Sequence, residues 1–288
     1  MTELETLRAQ IDKIDEKIIE QLISRIEVVK KVGEYKKENA SPPCPIRPAR
    51  EANMLRRITE AFRPTDFPAS AAAAIWRIII GASTSVEADM TLSVFASEQE
   101  NNLYWLAREY FGTSAPIIKQ AHVKRVIGDV LDGKAAVGVV PFLRGGDVGD
   151  WWVSLLQQGE HTPKIFAHVP FVYTDIAGKN IPSALAIARL LPEPSGDDMS
   201  IVVIETDSNV SQHRLQTAFV NEKLEATWIN IASLSASSRH HLLEVKGFIT
   251  HEHAGFANIL AALGASIISV NYLGVYATPI TIANSQNT

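Results

Sequence analysis

The chain has 288 residues, of which 46% are hydrophobic and 20% charged, with a formal net charge of −5 and a single cysteine. That length and apolar share suffice for two domains with their own cores, and one cysteine, Cys44, excludes an internal disulfide and a thiolate metal cage. The first ninety residues balance their charges, so the net negative charge falls on the remainder, which argues against a nucleic-acid partner.

No apolar run reads as long enough to span a bilayer, and the acidic, helical N-terminus is unlike a cleavable signal. The expectation is a cytoplasmic protein with no membrane partner. From Glu3 to Asn39 there is no proline and no glycine before Gly33. Leu4, Leu7, Ile11, Ile14, Ile18, Leu22, Val29 and Val32 recur every three or four residues, which predicts one long helix. At 1.5 Å per residue it is roughly 55 Å long, more than one small domain needs, and is expected to pack on a second copy of itself. Ser41 to Pro45 then reads as a stiff connector, Ala49 to Phe62 as a second helix with Pro48 in its first turn, and Ala69 to Asp89 as a third, apolar nearly all round.

Beyond Met90 the pattern turns to α/β. Strands are predicted at Thr91–Ala96, Lys134–Pro141 and Lys164–Tyr173, and helices at Asn102–Phe111, Val123–Leu131 and Pro182–Leu191. Pro192 to Asp198 reads as a linker. The tail gives strand Ser200–Glu205, helix Val210–Lys223, strands Ala226–Ala232 and His241–Ile249, helix His253–Leu263 and strand Ile267–Tyr276, a βαββαβ order. The fold class is multi-domain: an all-α three-helix unit over residues 1–90, an α/β region over 91–196 and a βαββαβ module over 197–288.

The cations of the first helix carry the chemistry. Arg25 lies between Leu22 and Val29 on the apolar stripe, and Lys36, eleven residues on, returns to nearly the same direction. Arg8 points about a hundred degrees away. Long basic side chains often run along apolar surface with their heads in water, but two on one line call for an anionic partner. With Arg50 and Glu51 opening the second helix and Ser83 and Glu87 one turn apart on the third, the set suits a small dicarboxylate. Neither a metal nor an activated nucleophile is implied.

The pattern Leu7-Arg8-x-x-Ile11-Asp12-x-Ile14-Asp15, Arg25, Val32-Gly33-x-x-Lys36, Arg50-Glu51, Ser83 and Glu87 resembles the all-helical class of chorismate mutase over residues 3–89. The resemblance implies an intertwined homodimer, no cofactor, and the rearrangement of chorismate to prephenate in aromatic amino-acid biosynthesis, the shikimate pathway's branch. It implies that Arg25 and Lys36 hold the enolpyruvyl carboxylate, with Arg50 and Arg8 from the other subunit on the ring carboxylate. Glu51 then accepts from the ring hydroxyl, Ser83 assists at the ring carboxylate, and Lys36 and Glu87 bracket the breaking ether bond. Some relatives carry Gln in place of Glu87, and Arg47 stands near where many have an acid.

The second half is similar, more faintly, to prephenate dehydratase in Val130 through Pro141. It lacks the Glu-Asn-Ser continuation, having Phe142-Leu143-Arg144-Gly145, and Met199-Ser200-Ile201 stands in place of Thr-Arg-Phe. A degenerate dehydratase-like region is expected; a bifunctional mutase–dehydratase and a non-catalytic sensor or scaffold are the alternatives. The tail resembles an ACT domain, with an aromatic amino acid as possible effector, although Gln212 to Leu215 and Ala232 to Ser235 depart from the contact motifs. His240, His241, His251 and His253 read as surface residues, Gly145-Gly146 as a turn, and Trp105, Trp151 and Trp152 as core.

Overall fold

The computed structural model describes residues 2–39, 45–97, 101–143, 149–156, 159, 161–174 and 182–282. Most of the expected connector, with Cys44, and the Arg144 to Gly146 stretch lie outside the described residues.

Helix α1 (Glu3–Glu38) is one uninterrupted element, as its period predicts. Thr2 caps it: its hydroxyl accepts from the Glu5 N–H at 3.3 Å, and the Glu5 carboxylate accepts from the Thr2 N–H at 2.7 Å. Helix α2 (Pro48–Phe62) opens on proline, which lacks the N–H that a first turn leaves unused. Helix α3 (Ala69–Glu87) packs on both. The apolar stripe of α1 is uncovered within one chain, with Leu7, Ile11 and Ile14 each more than half exposed, and Gly33 is the helix's single buried residue.

Contrary to the expectation that no apolar run is long enough to span a bilayer, α3 is apolar enough to cross one by length and composition. The physical reason is its position: α1, α2 and a later helix all pack on it, so few of its faces need polar residues.

The α/β part contains β1 (Leu92–Phe95), α4 (Asn102–Phe111), β2 (Ile117–Gln120), α5 (Val123–Leu131), β3 (Val137–Pro141), β4 (Lys164–Val169), β5 (Val172–Thr174) and β6 (Ala184–Ala188). The tail adds β7 (Asp198–Asp207), α6 (Gln212–Asn221), β8 (Ala226–Ala232), β9 (Ser238–Lys246), α7 (Ala254–Leu263), β10 (Ile267–Ala277) and β11 (Ile280–Ile282). Nine strands form one sheet in the order β2-β1-β3-β6-β4-β10-β7-β9-β8, and β5 pairs with β11 separately. Four of the tail's five strands therefore continue the preceding sheet instead of standing alone. The join is parallel pairing of Ile165 with Gly274. Gly274 has φ of 152°, and a Cβ there would lie 2.0 Å from the Ile165 carbonyl oxygen, so only glycine permits this join.

Pro182–Leu191, predicted as a helix, is instead strand β6 over Ala184–Ala188. Ala-Leu-Ala-Ile-Ala shows no alternation and its alanines favour helix, but every residue is fully buried between β3 and β4. Tertiary pairing overrides propensity. His240 and His241, expected on the surface, are 8% and 1% exposed; His240 lies 3.6 Å from the Glu205 carboxylate and His241 bonds the Thr206 hydroxyl at 3.1 Å. Trp151 and Trp152 are core residues as expected, whereas Trp105 is 66% exposed on α4.

Arg56 of α2 ties the helices to the sheet. Its guanidinium donates to the Ser195 carbonyl at 3.0 Å, the Ser195 hydroxyl at 3.1 Å and the Asp197 carbonyl at 2.6 Å. Bonds from a charged donor are the stronger kind, so Arg56→Ala is expected to cost about 2–3 kcal/mol. A lower denaturation midpoint for the variant checks this; an unchanged midpoint would show the clamp to be ornamental.

Candidate active site

The seam between α1 and α3 gathers four of the predicted residues. Arg25 donates to the Ser83 hydroxyl, which in turn donates to the Ile79 carbonyl at 2.6 Å. Lys36 pairs with the Glu87 carboxylate, each largely shielded from solvent. Arg25 and Lys36 sit three turns apart on α1, Ser83 and Glu87 one turn apart on α3, so the two contacts stack along one groove.

Burial, and secondarily the charge of Arg50, lowers the pKa of Arg25 from its ordinary value. Arg50, exposed at the start of α2, is therefore close enough to be felt. Three cations against the one carboxylate of Glu87 leave a surplus of positive charge in the groove, which a dianion would neutralise.

Gly33 sets the spacing. A Cβ on it would lie 3.2 Å from the Glu87 carbonyl oxygen and 3.4 Å from the Glu87 Cγ. The bare backbone lets α1 come down onto the end of α3, within reach of Lys36.

Two predicted residues stand elsewhere. Glu51 turns to Arg77 of α3, 2.8 Å away, in an ion pair whose side chains are 14% and 8% exposed. Arg77, Ile80 and Thr84 share one face of α3, about a quarter turn from Ser83 and Glu87. Arg8 is exposed, about 26 Å from Arg25 along the helix axis at 1.5 Å per residue. Arg47 pairs with Glu193 at 3.0 Å on the surface.

Arg77 escaped the sequence reading, although a lone cation inside the run Ala71 to Gly81 was a usable signal. It lies over the Tyr110 ring of α4, 3.7 Å from its centroid. Burial pushes the Tyr110 hydroxyl up to about 12, against the opposing pull of the Arg77 charge. Glu51, Arg77 and Tyr110 thus link α2, α3 and α4.

Residues 7–88 match the family chorismate mutase type II. The match covers the α1–α3 seam with all four paired residues. A curated relative, the bifunctional chorismate mutase/prephenate dehydratase of Aquifex aeolicus, is 32% identical over 144 residues, which are 49% of this chain and 39% of the relative. The chain thus spans well under half the length of the curated relative it matches. Among solved structures, GqqA, described as a novel type of quorum quenching acylase, aligns with TM-score 0.49 and 16% identity over 65% of this chain and 95% of its own. The prephenate dehydratase of Streptococcus mutans aligns with TM-score 0.48 and 14% identity over 67% of this chain and all of its own.

The Gly33 contact makes a paired prediction. Replacing a helical glycine by alanine ordinarily gains about 0.5–1 kcal/mol, whereas overpacking costs about 1–3 kcal/mol. Gly128→Ala in α5, where nothing lies within 4 Å of the added Cβ, should stabilise. Gly33→Ala should not. Chemical denaturation of both variants decides, and equal stabilisation would remove the packing role given to Gly33.

Proposed function

We propose that the protein is a chorismate mutase that rearranges chorismate to prephenate for phenylalanine and tyrosine biosynthesis. The observation that carries this reading is the paired seam, Arg25 with Ser83 and Lys36 with Glu87, inside the stretch that matches the family. The rearrangement is intramolecular and concerted, so the protein's part is to hold the compact conformer and to stabilise charge in the transition state. Arg25 and Lys36 grip the enolpyruvyl carboxylate, and Arg50 and Ser83 serve the ring carboxylate. Lys36 donates to the ether oxygen as its bond breaks.

Across the groove Lys36 and Glu87 satisfy each other. Substrate enters by parting them, and the ether oxygen takes the place of the Glu87 carboxylate at Lys36. Glu87 can then contribute a second hydrogen bond to that oxygen only while protonated. For Glu51 to reach the ring hydroxyl it must leave Arg77.

The active form is a cytoplasmic homodimer without cofactor. What supports the dimer is the uncovered apolar stripe of α1, which puts Arg8 where only a second copy could use it. We assign residues 1–90 to the mutase domain, 91–196 to a dehydratase-like region and 197–288 to an ACT-like module, which scaffolds or takes an aromatic amino-acid effector. The Aquifex aeolicus relative favours a second reading, a bifunctional enzyme. Against it, Ser200 is fully buried in β7, where it donates to the Gly247 carbonyl at 2.7 Å and accepts from the Ile249 N–H at 2.8 Å.

The test is chorismate consumption by the purified full chain, with the product identified without acid treatment. Prephenate alone is expected; phenylpyruvate would establish the second reading, and no turnover would leave a binding protein. Lys36→Ala should lower kcat/KM by about 10³-fold, the scale of one lost oxyanion donor. Glu87→Gln, which supplies an amide donor in place of the carboxylate, should retain turnover, whereas Glu87→Ala should lower kcat/KM; equal rates in the two variants would end the role given to Glu87.

A further inference from the structure

A second site opens outside the seam. A cleft of about 480 Å³ lies where α3 meets α4 and the Pro170–Val172 segment, a size that accommodates a small molecule. Its wall is mainly apolar, through Ile78, Trp105, Leu106 and Phe171, and its charged members are Arg77, Arg108 and Glu109. Arg77 and Tyr110 line both this cleft and a small interior void that holds Glu51, so the arginine is part of the wall between them.

Arg77 has donors to spare. It is 7% exposed and its Nε has no hydrogen-bond partner, while Nη1 serves Glu51. A guanidinium carries five N–H donors, and leaving them unmade in a buried place is costly. Arg108 directs its donors to the Thr113 and Ala115 carbonyls and the Tyr104 hydroxyl. Among the described residues no carboxylate pairs with it, so the cleft's own lining holds two cations to the one carboxylate of Glu109, while Glu51 answers Arg77 from the other side of the wall.

We propose that this cleft binds a small carboxylate with a flat apolar body. Arg77 takes the carboxylate by turning its spare donors to the cleft, and Trp105, Ile78 and Phe171 cover the body. Because Glu51 holds the same guanidinium, ligand and Glu51 compete for it, and occupancy of the cleft loosens Glu51. Binding stands independently of the chorismate reading; only an effect on turnover would rest on it.

The experiment is calorimetric titration of the full chain with naphthalene-2-carboxylate and its neutral analogue naphthalene-2-methanol. One saturable site per chain is expected, at least tenfold tighter for the carboxylate. Glu51→Gln, which leaves Arg77 without its anion, should tighten carboxylate binding several-fold. Ala74→Trp fills the exposed wall and should abolish binding with circular dichroism and molar mass unchanged. Equal affinity for acid and alcohol, absence of saturation, or unaltered affinity in either variant overturns the proposal. Should Glu51→Gln fail to fold, Ala74→Trp decides alone. A change of molar mass in Ala74→Trp would make this face a contact between copies and equally end it. Chorismate turnover measured on the same samples keeps the two questions apart, since an inactive chain that binds the carboxylate fails only the mutase reading.

Discussion

The helical part of the molecule depends on one close approach, that of Gly33 to the end of α3. Gly33 is the single buried residue of a 36-residue helix, and the two cations that find partners on α3 flank it. A side chain there would lift α1 away and draw Lys36 from Glu87. The geometry of the groove is therefore set by a missing Cβ, with the flexible stems of Arg25 and Lys36 spanning what distance remains. The preceding turns of α1 stand off from the chain, apolar stripe outward.

Arginines of the helical part also make its joints to the rest. Arg56 reaches backbone carbonyls at the turn before β7, and Arg77 lies on the Tyr110 ring of α4 while holding Glu51. The sheet, by contrast, is continuous backbone pairing, carried across its middle by Gly274 against Ile165. Movement of the helices relative to the sheet would break these bonds and part the apolar core in which Ala52, Leu55 and Ala73 join Leu92 and Phe166, whereas movement within the sheet would break its backbone ladder. Glu51 sits at one of those joints, which makes it the candidate-site residue most exposed to events in the α/β part.

Helices were the legible part of the sequence, because the 3.6-residue period survives wherever one face is buried. The predicted Asn102–Phe111 and Val123–Leu131 have the bounds of α4 and α5. Strand β6 was not legible: buried on both faces, it has no alternation to show, and five alanine-rich residues read as helix. Edge strand β2, Ile-Ile-Lys-Gln, is too short to carry a period at all. In the site, helical spacing put Arg25 with Lys36 and Ser83 with Glu87, but nothing in spacing says that residues 58 apart will touch. That step came from family resemblance. Arg77 was hidden by the rule that found the rest, since a cation inside an apolar run looks like an interruption until its partner is known.

The uncovered stripe also bears on how two copies of α1 would meet in the proposed dimer. If Arg8 of one copy is to stand level with Arg25 of the other, an antiparallel pair must cross midway, near Glu16 and Lys17. That register sets Ile11 level with Leu22 and Ile14 level with Ile19, all of them exposed in the single chain. Shifting it by one heptad would keep apolar residues in contact, with little loss of burial, but would carry Arg8 about 10 Å past the groove. Apolar burial alone therefore does not choose the register. The requirement for a second arginine at the dicarboxylate does, so in this reading the dimer's geometry is specified by the ligand's second charge and merely permitted by the stripe.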